Sequence, residues 1–428
     1  MISGSNSLLL PTGLVLLLLA TLHCTALADL TWQGQVRTQA IASLRDSDDT
    51  VSINEDQHSF FDGALDGRVN LQYQATPTFF MECSYEAIIS GGQTKRALQG
   101  VDIASSAAYF TTLSYPDDSR QLFSLTGLLK EDSDVIAYHR LDRLFAVLQT
   151  DIGSFSLGRQ ALTWGNGMMF NPADLVNPFA PSDIIRDYKV GSDMALYQVT
   201  TNHINDFQLA VVPRRNEESG EVEASSSTAG AKLNVTILEN DTDLYLMRHY
   251  DDIVYGLGIN RFLGSALFRS DIIVTDAADQ AGTYISAVAN LDYSWTWAQK
   301  NWYGLLELYY NGLGHNTPQQ AFQDPAALDR LARGDLFATG RWYIDGMLQY
   351  ELHPLIHLYL SAIVNLDDTS FLLQPRVDWS ITSSLQLLGG CNIPVGSANS
   401  EFGSITFDDP QITTSRPTQL YVILTWYF

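Results

Sequence analysis

The last 11 residues of the chain, Thr418 to Phe428, read TQLYVILTWYF. Leu420, Val422, Leu424, Trp426 and Phe428 alternate with the other residues of this segment. Because successive side chains of a strand point to opposite faces, the segment predicts a β-strand with one wholly apolar face and an aromatic last residue. An ordinary edge strand at a C-terminus is the alternative. The rest of the chain decides between the two.

Four internal segments repeat this alternation, at residues 65–74, 285–294, 341–351 and 356–365. One face of each segment carries no charge, whereas the other face is mostly polar. Uncharged faces on strands of about 9–11 residues suit lipid. The pattern predicts an all-β, transmembrane antiparallel barrel of about 18 strands, within bounds of 16 and 20. The candidate lumen-wall residues are Arg68, Asp292, Glu307, Arg341, Asp345 and Glu351.

The N-terminal residues predict export. Residues 8–22 are almost wholly apolar and precede Ala26-Leu27-Ala28, a pattern that signal peptidase reads. We expect a signal peptide over 1–28 and a barrel over 29–428. A signal peptide together with this last strand resembles Gram-negative outer-membrane β-barrels. The resemblance implies recognition of the strand ending in Phe428 by the barrel-assembly machinery, and contact with outer-membrane lipid and lipopolysaccharide.

The predicted connectors fall into two classes. Long ones lie near 42–63, 89–102, 161–189, 214–229, 313–337 and 396–416, and the counted strands place all of them at one end. Short turns join the strands at the opposite end, as in barrels with long outer loops and short periplasmic turns. Within one long connector, Asp324-Pro325 and Arg333-Gly334 predict the beginning and end of a short helix.

Composition excludes several function classes. The chain has 428 residues, with 24 Lys and Arg against 48 Asp and Glu, a formal net charge of −24. That charge argues against a nucleic-acid partner, because such a partner needs a basic face to neutralise its phosphates. No Cys-x-x-Cys motif and no nucleophile elbow occurs, so the sequence predicts no cofactor, no metal site and no enzyme.

One segment differs from the rest. Residues 157–193 read LGRQALTWGNGMMFNPADLVNPFAPSDIIRDYKVGSD. A long connector rich in aromatic residues, methionine and proline is more typical of an ordered functional loop than of disorder. We expect residues 161–189 to fold inward and narrow the lumen. The candidate constriction residues are Arg159, Trp164, Asp174, Asp183, Arg186, Asp187, Lys189 and Asp193.

Two interpretations of these charged residues stand. They could face each other across the lumen and filter solutes, or they could tie the loop to the wall by ion pairs. The second interpretation is the more common situation in folded loops. Trp164 and Phe170 could likewise stack on sugars, but packing within the loop is the more common use of such residues.

Gly158-Arg159-Gln160, Trp164-Gly165 and Asn171-Pro172-Ala173-Asp174 resemble elements of porin-like outer-membrane families, including barrels similar to alginate-export proteins. That resemblance implies a channel for passive diffusion or export of small or oligomeric solutes. One alternative is a structural barrel that sheathes a periplasmic electron-transfer or secretion partner. Another is a lipid or peptide hydrolase built on His249, Asp251 and Asp252. The sequence leaves the solute and any homo-oligomer open.

Overall fold

The computed structural model describes residues 29–97, 116, 118–183, 188–201, 204–408 and 411–428. The predicted signal peptide, 1–28, lies outside the described residues, so it stays a prediction. The described residues form a closed antiparallel barrel of 18 strands, and the predicted fold class is confirmed.

The strands follow one another around the barrel in chain order, and two short pairings lie outside the ring. The barrel strands and the extra strand β4 are β1 (Asp29–Leu44), β2 (Ser59–Thr76), β3 (Phe79–Gly92), β4 (Thr126–Glu131), β5 (Val135–Thr150), β6 (Gly153–Gln160), β7 (Ser192–Val199), β8 (Asp206–Val212), β9 (Thr228–Ile237), β10 (Asn240–His249), β11 (Asp252–Leu263), β12 (Ala266–Asp276), β13 (Thr283–Trp297), β14 (Lys300–Asn311), β15 (Trp342–His353), β16 (Ile356–Asn365), β17 (Phe371–Thr382), β18 (Leu385–Val395) and, after the hairpin β19 (Ser404–Asp408) and β20 (Gln411–Ser415), β21 (Thr418–Tyr427). β6 pairs with residues 144–150 of β5, and β4 pairs with residues 136–140 on the same edge of β5.

The C-terminal strand closes the barrel. β21 pairs with β1 from Gln35↔Tyr427 to Leu44↔Thr418, and with β18 on its other edge. Gly34 and Phe428 exchange both backbone hydrogen bonds, at 2.9 and 3.0 Å. A Cβ atom at Gly34 would lie 2.5 Å from the Phe428 ring. The seam therefore depends on a glycine opposite the terminal aromatic residue.

The two faces of β21 have opposite environments. Leu420, Val422 and Trp426 are more than half exposed on the outer face, whereas Tyr421 and Ile423 are buried on the inner face. Inward side chains of an open, water-filled barrel would be exposed, so burial on this face means that other residues occupy the lumen. Among the described residues, no helix is long and apolar enough to cross a membrane.

Connector length alternates with strand direction, as the sequence predicts. The long connectors 45–58, 93–134, 161–191, 213–227, 312–341 and 396–417 share one end, which we call the outer end. Turns such as 77–78, 298–299 and 354–355 join strands at the other end. Near the turn 298–299, the rings of Trp295 and Trp302 stack 6.1 Å apart. Such rings are typical of the aromatic girdle at a membrane interface.

In the described parts of the outer connectors lie four short helices: α1 (Thr50–Glu55), α2 (Gln93–Ala97), α3 (Pro318–Gln323) and α4 (Pro325–Arg333). The predicted bounds of α4 are confirmed. The Asp324 carboxylate accepts the Ala326 N–H at 3.0 Å, and Gly334 ends the helix in the left-handed conformation with φ 78°.

Candidate functional site

The connector between β6 and β7, residues 161–191, folds into the barrel, and we call it the inner loop. Trp164 is 2% exposed and lies in a cluster of buried apolar residues with Tyr245 and Met247 of β10. Its indole Nε1 donates to Gln208 Oε1 on β8 at 2.7 Å. The first part of the inner loop therefore packs against the wall formed by β7 to β12.

Wall carboxylates then bind the backbone of the inner loop. Asn166 Nδ2 donates to Asp271 Oδ1 of β12 at 2.7 Å, and the Asn166 N–H donates to the other oxygen of that carboxylate. A Cβ atom at Gly258 on β11 would lie 2.4 Å from Asp271 and 2.5 Å from the Asn166 amide. A glycine at this wall position leaves the space in which Asn166 reaches Asp271.

Glu307 of β14 holds the apex of the inner loop, residues 168–170. Its carboxylate accepts the N–H groups of Met168, Met169 and Phe170 at 2.7, 3.1 and 2.7 Å. The Phe170 ring stacks on Tyr309 with the two centroids 4.5 Å apart. Three consecutive backbone donors at one buried anion form a strong, charge-assisted contact, so the apex is fixed to the wall opposite the site where the loop enters.

Asn177 closes the base of the inner loop. Its Oδ1 accepts the Leu162 N–H at 2.9 Å, and its Nδ2 donates to the Val190 carbonyl at 2.7 Å and to Ser192 Oγ at 2.9 Å. One side chain thus joins the entering and leaving strands of the loop. Residues 162–176 form one lobe, and the described residues 178–183 and 188–190 form a second lobe.

The second lobe lies against the opposite wall. Gln374 of β17 donates to the Ser182 carbonyl at 3.1 Å, and Tyr188 donates to Glu86 of β3. The Arg68 guanidinium lies 3.8 Å from the centroid of the Tyr188 ring. Together the two lobes contact wall strands around most of the barrel, which explains why the inward side chains are buried.

Lys189 and Asp174 form an ion pair between the two lobes. Asp174 is only 3% exposed, and burial raises the pKa of its carboxyl from 3.8 to about 7, although Lys189 acts in the opposite direction. Protonation of Asp174 near neutral pH therefore changes the contact between the lobes.

Basic residues of the first seven strands are matched by carboxylates. The ion pairs are Arg37–Asp66, Arg68–Asp142, Arg140–Glu86, Arg143–Asp142 and Arg159–Asp193, with Asp118 as a second partner of Arg159. Because each cation has a buried or half-buried partner, this wall presents a neutralised network rather than an unbalanced positive surface.

A cavity of about 500 Å³ remains between the inner loop and strands β14 to β17, and we call it the passage. Of the predicted constriction residues, Asp174, Asp183 and Lys189 line it. Arg159, Asp193 and Trp164 are 1–3% exposed and fix the loop to the wall instead. Arg186 and Asp187 lie outside the described residues.

The predicted lumen-wall residues lie at different heights. Arg68, Glu307 and Asp345 are buried beneath the inner loop. Asp292 contacts Arg269 and Tyr303, and Glu351 accepts from Asn301 near the short-turn end. Arg341 precedes β15 at the outer end and donates to the Gly314 carbonyl.

Sequence reasoning missed several residues of this site. Met347, Ser361 and Arg376 line the passage, and Asp271 and Asn166 fix the first lobe. Strand alternation alone could have placed Arg376 and Asp271 on the inner face. It could not have shown which wall residues meet the loop.

The side chains of the suggested hydrolase residues, His249, Asp251 and Asp252, each contact a residue outside this set. His249 Nδ1 lies 2.8 Å from Thr228 Oγ1, and His249 Nε2 lies 3.1 Å from Asp335 Oδ2. Asp251 pairs with Arg248, and Asp252 pairs with Arg330. These contacts hold an outer connector in place and do not form a His–Asp dyad from His249 with Asp251 or Asp252.

No protein-family model and no curated protein sequence matches the chain. Solved outer-membrane barrels do match in fold. OccK2 (OpdF) of Pseudomonas aeruginosa, solved with glucuronate, is 8% identical with a TM-score of 0.51, over 94% of this chain and 98% of that one. OccD3 (OpdP) of the same organism is 9% identical with a TM-score of 0.50, over 93% and 91% of the two chains.

Wzi of Escherichia coli, a carbohydrate-binding barrel involved in group 1 capsule assembly, is 9% identical with a TM-score of 0.53, over 91% of this chain and 83% of Wzi. At such identities the likeness concerns the fold alone. The predicted porin-like architecture is thereby confirmed: this chain is a β-barrel of the outer-membrane type, with the fold of the porins.

Proposed function

We propose that the chain is an outer-membrane channel for passive diffusion or export of small or oligomeric solutes, and that the inner loop sets its selectivity. The observation that carries the proposal is the passage of about 500 Å³ beside the inner loop. Ordered loops that narrow a wide barrel and leave a cavity with a mixed polar and apolar lining are suited to selecting solutes by size and charge.

The acidity of the chain supports a weak preference for cations. Charged groups that line the passage are paired, Asp174 with Lys189, Asp335 with Arg333 and Arg376 with Asp378. The basic groups that are buried in the wall network, such as Arg159, have carboxylate partners. The formal net charge of −24 therefore sets the sign of the field, and it favours cations over anions.

Polyhydroxylated solutes are the first class to assay. The passage combines polar groups such as Ser361 with the apolar side chains of Phe170 and Met347, and pockets that mix a few polar groups with apolar walls bind polar organic solutes. Two proteins of similar fold bind solutes of this class: OccK2 was solved in complex with glucuronate, and Wzi binds carbohydrate.

A structural barrel with a covered outer end is the second candidate. Arg330 of α4 is 3% exposed and donates to Asp252 at 2.6 Å and to Asp279 at 2.7 Å. These two ion pairs, of which the pair with Asp252 is buried, hold connector 312–341 against β11 and against connector 277–282 at the outer end. This covering favours a closed barrel that serves a periplasmic partner, if the purified protein does not conduct.

Planar-bilayer recording of the refolded protein tests the channel. We expect discrete conductance steps, a reversal potential of cation sign under a salt gradient, and a larger conductance after deletion of 165–185. A deletion of 216–222, in an outer connector, is the matched control and should leave conductance unchanged. A folded protein that stays silent with and without 165–185 would reject the channel in favour of the structural barrel.

We also retain as proposals the contacts with outer-membrane lipid and lipopolysaccharide, and recognition of the Phe428 strand by the assembly machinery. The exposed apolar face of β21 and the packing of Phe428 on Trp32, with ring centroids 5.9 Å apart, support them.

A further inference from the structure

One carboxylate beside the loop apex has no partner for its charge. Asp345 of β15 is 1% exposed, and neither of its carboxylate oxygens has a hydrogen-bond partner among the described residues. Both oxygens are sealed from water. An ionised carboxylate without a counterion or donor is very costly in such a place.

The neighbouring carboxylate is in the opposite situation. Glu307 lies directly across from Asp345 in the β14–β15 register. It accepts the three apex N–H groups and also Asn290 Nδ2 at 3.1 Å. Four N–H donors favour the anion, so Glu307 carries the negative charge of the pair.

The surrounding groups supply no positive charge. Asn290 faces the pair from β13, and the inward neighbours of Asp345 along β15 are Tyr343 and Met347. The residue opposite on β16 is Ile363, and the inner loop contributes backbone N–H groups. The charged group opposite Asp345 is Glu307, and neither Asp345 oxygen has a basic partner among the described residues. The balancing charge must therefore come from a bound cation.

The ligands available around Asp345 decide whether the bound cation is a metal ion or a proton. No group of three or more His, Cys, Asp or Glu side chains that could hold a metal occurs within the described ranges. Hard cations such as Ca²⁺ need about six oxygen ligands, and sealed oxygens leave no room for one. A proton needs no cavity and makes Asp345 a donor.

We propose that Asp345 binds a proton, that its O–H donates to the Glu307 carboxylate, and that this bound proton stabilises the grip of Glu307 on the loop apex. When the proton leaves to water, two adjacent buried carboxylates are both negative. Their repulsion favours movement of Glu307 toward water and release of the three apex N–H groups. Because one proton is involved, the ratio of released to held apex rises by at most about tenfold per pH unit.

Infrared difference spectroscopy of the folded full-length barrel tests the proton directly. The measurement uses an Asp174→Asn background, because Asp174 also protonates near neutral pH. In that background we expect the C=O band of a protonated carboxylic acid at neutral pH, sensitive to deuterium exchange and absent when Asp345→Asn is added. Asp292→Asn is the matched control, because Asp292 has Arg269 Nη2 at 3.3 Å and the Tyr303 hydroxyl at 2.9 Å; adding this substitution should retain the band. Absence of the band in the Asp174→Asn background, or its persistence after Asp345→Asn is added, would overturn the proposal.

Bilayer recording tests the coupling, and this arm rests on the proposed function whereas the spectroscopic arm does not. In the same Asp174→Asn background, conductance should rise as the pH is raised, and the addition of Asp345→Asn, neutral at every pH, should remove that rise. A rise that persists in the double variant would overturn the coupling. If Asp345→Asn does not fold, Glu307→Gln serves instead: without the anion beside it, Asp345 should lose its proton at a lower pH, and an unchanged titration would overturn the proposal.

Discussion

Replacement of Glu307 by alanine is the most direct test of how the inner loop is held. The substitution removes the acceptor of three apex N–H groups, from Met168, Met169 and Phe170. Hydrogen bonds to a charged group stabilise by about 1.5–3 kcal/mol each. Even at the lower value, three bonds amount to about 4.5 kcal/mol, or roughly three orders of magnitude in the ratio of held to released apex.

Thiol labelling at the apex measures that ratio. Met169 packs against the buried cluster that contains Phe170 and can be replaced by cysteine after Cys83 and Cys391, both free thiols, are changed to alanine. Glu307→Ala should speed labelling at 169 by at least tenfold and enlarge single-channel conductance, with Glu307→Gln between it and the wild type. Glu351→Ala is the control, because it removes the same charge from the lumen wall but contacts Asn301. Equal labelling rates in Glu307→Ala and Glu351→Ala would refute the role of Glu307 in holding the apex.

Three further outcomes are expected. Burial raises the pKa of Asp174 from 3.8 to about 7, so the contribution of this carboxyl to stability is full below pH 3.8 and is lost as the pH rises through 7. Calorimetry should show that the free energy of unfolding falls by at most about 4 kcal/mol between these two pH values. Asp174→Asn should abolish this pH dependence. Arg330→Ala leaves the buried Asp252 without its closest cation, which costs about 3 kcal/mol; hydrogen exchange of connector 312–341 should speed by more than tenfold, and unchanged exchange would argue against the covering role. Removal of Phe428 deletes the ring beside Trp32 and both seam hydrogen bonds; the fraction of heat-modifiable, folded barrel in membranes should fall, whereas equal assembly would contradict the closing role.

The barrel was predictable because its signals are local. The alternation in Thr418–Phe428 reports which face of a strand meets lipid, because a basic side chain that faces the middle of the bilayer costs about 2–4 kcal/mol. Connector lengths report strand direction, and the α4 bounds follow from Asp324 and Gly334, which act within a few residues of their own positions. Each of these signals requires no knowledge of distant residues.

The interior was less predictable because it depends on contacts between residues far apart in sequence. Alternation placed Glu307 and Asp345 on the inner face, but only the β14–β15 register makes them neighbours, and only the folded loop brings Met168 to Glu307. Trp164 was a candidate for the lumen surface, and the structure places it in a buried cluster. The alternation of a strand shows that a side chain faces the lumen. It does not show how far along the barrel axis the side chain lies or which residue it contacts.

Asn177 fixes the two ends of the inner loop independently of the residues between them. Because this side chain joins Leu162 to Val190 and Ser192, the ends of the loop stay fixed at adjacent strands whatever lies between them. Loop closure costs little for each added residue, so insertions or exchanges within either lobe leave the ring of strands intact. Evolution or engineering can therefore rewrite a lobe while the ring of strands stays unchanged, as long as the backbone donors to Asp271 and Glu307 are kept.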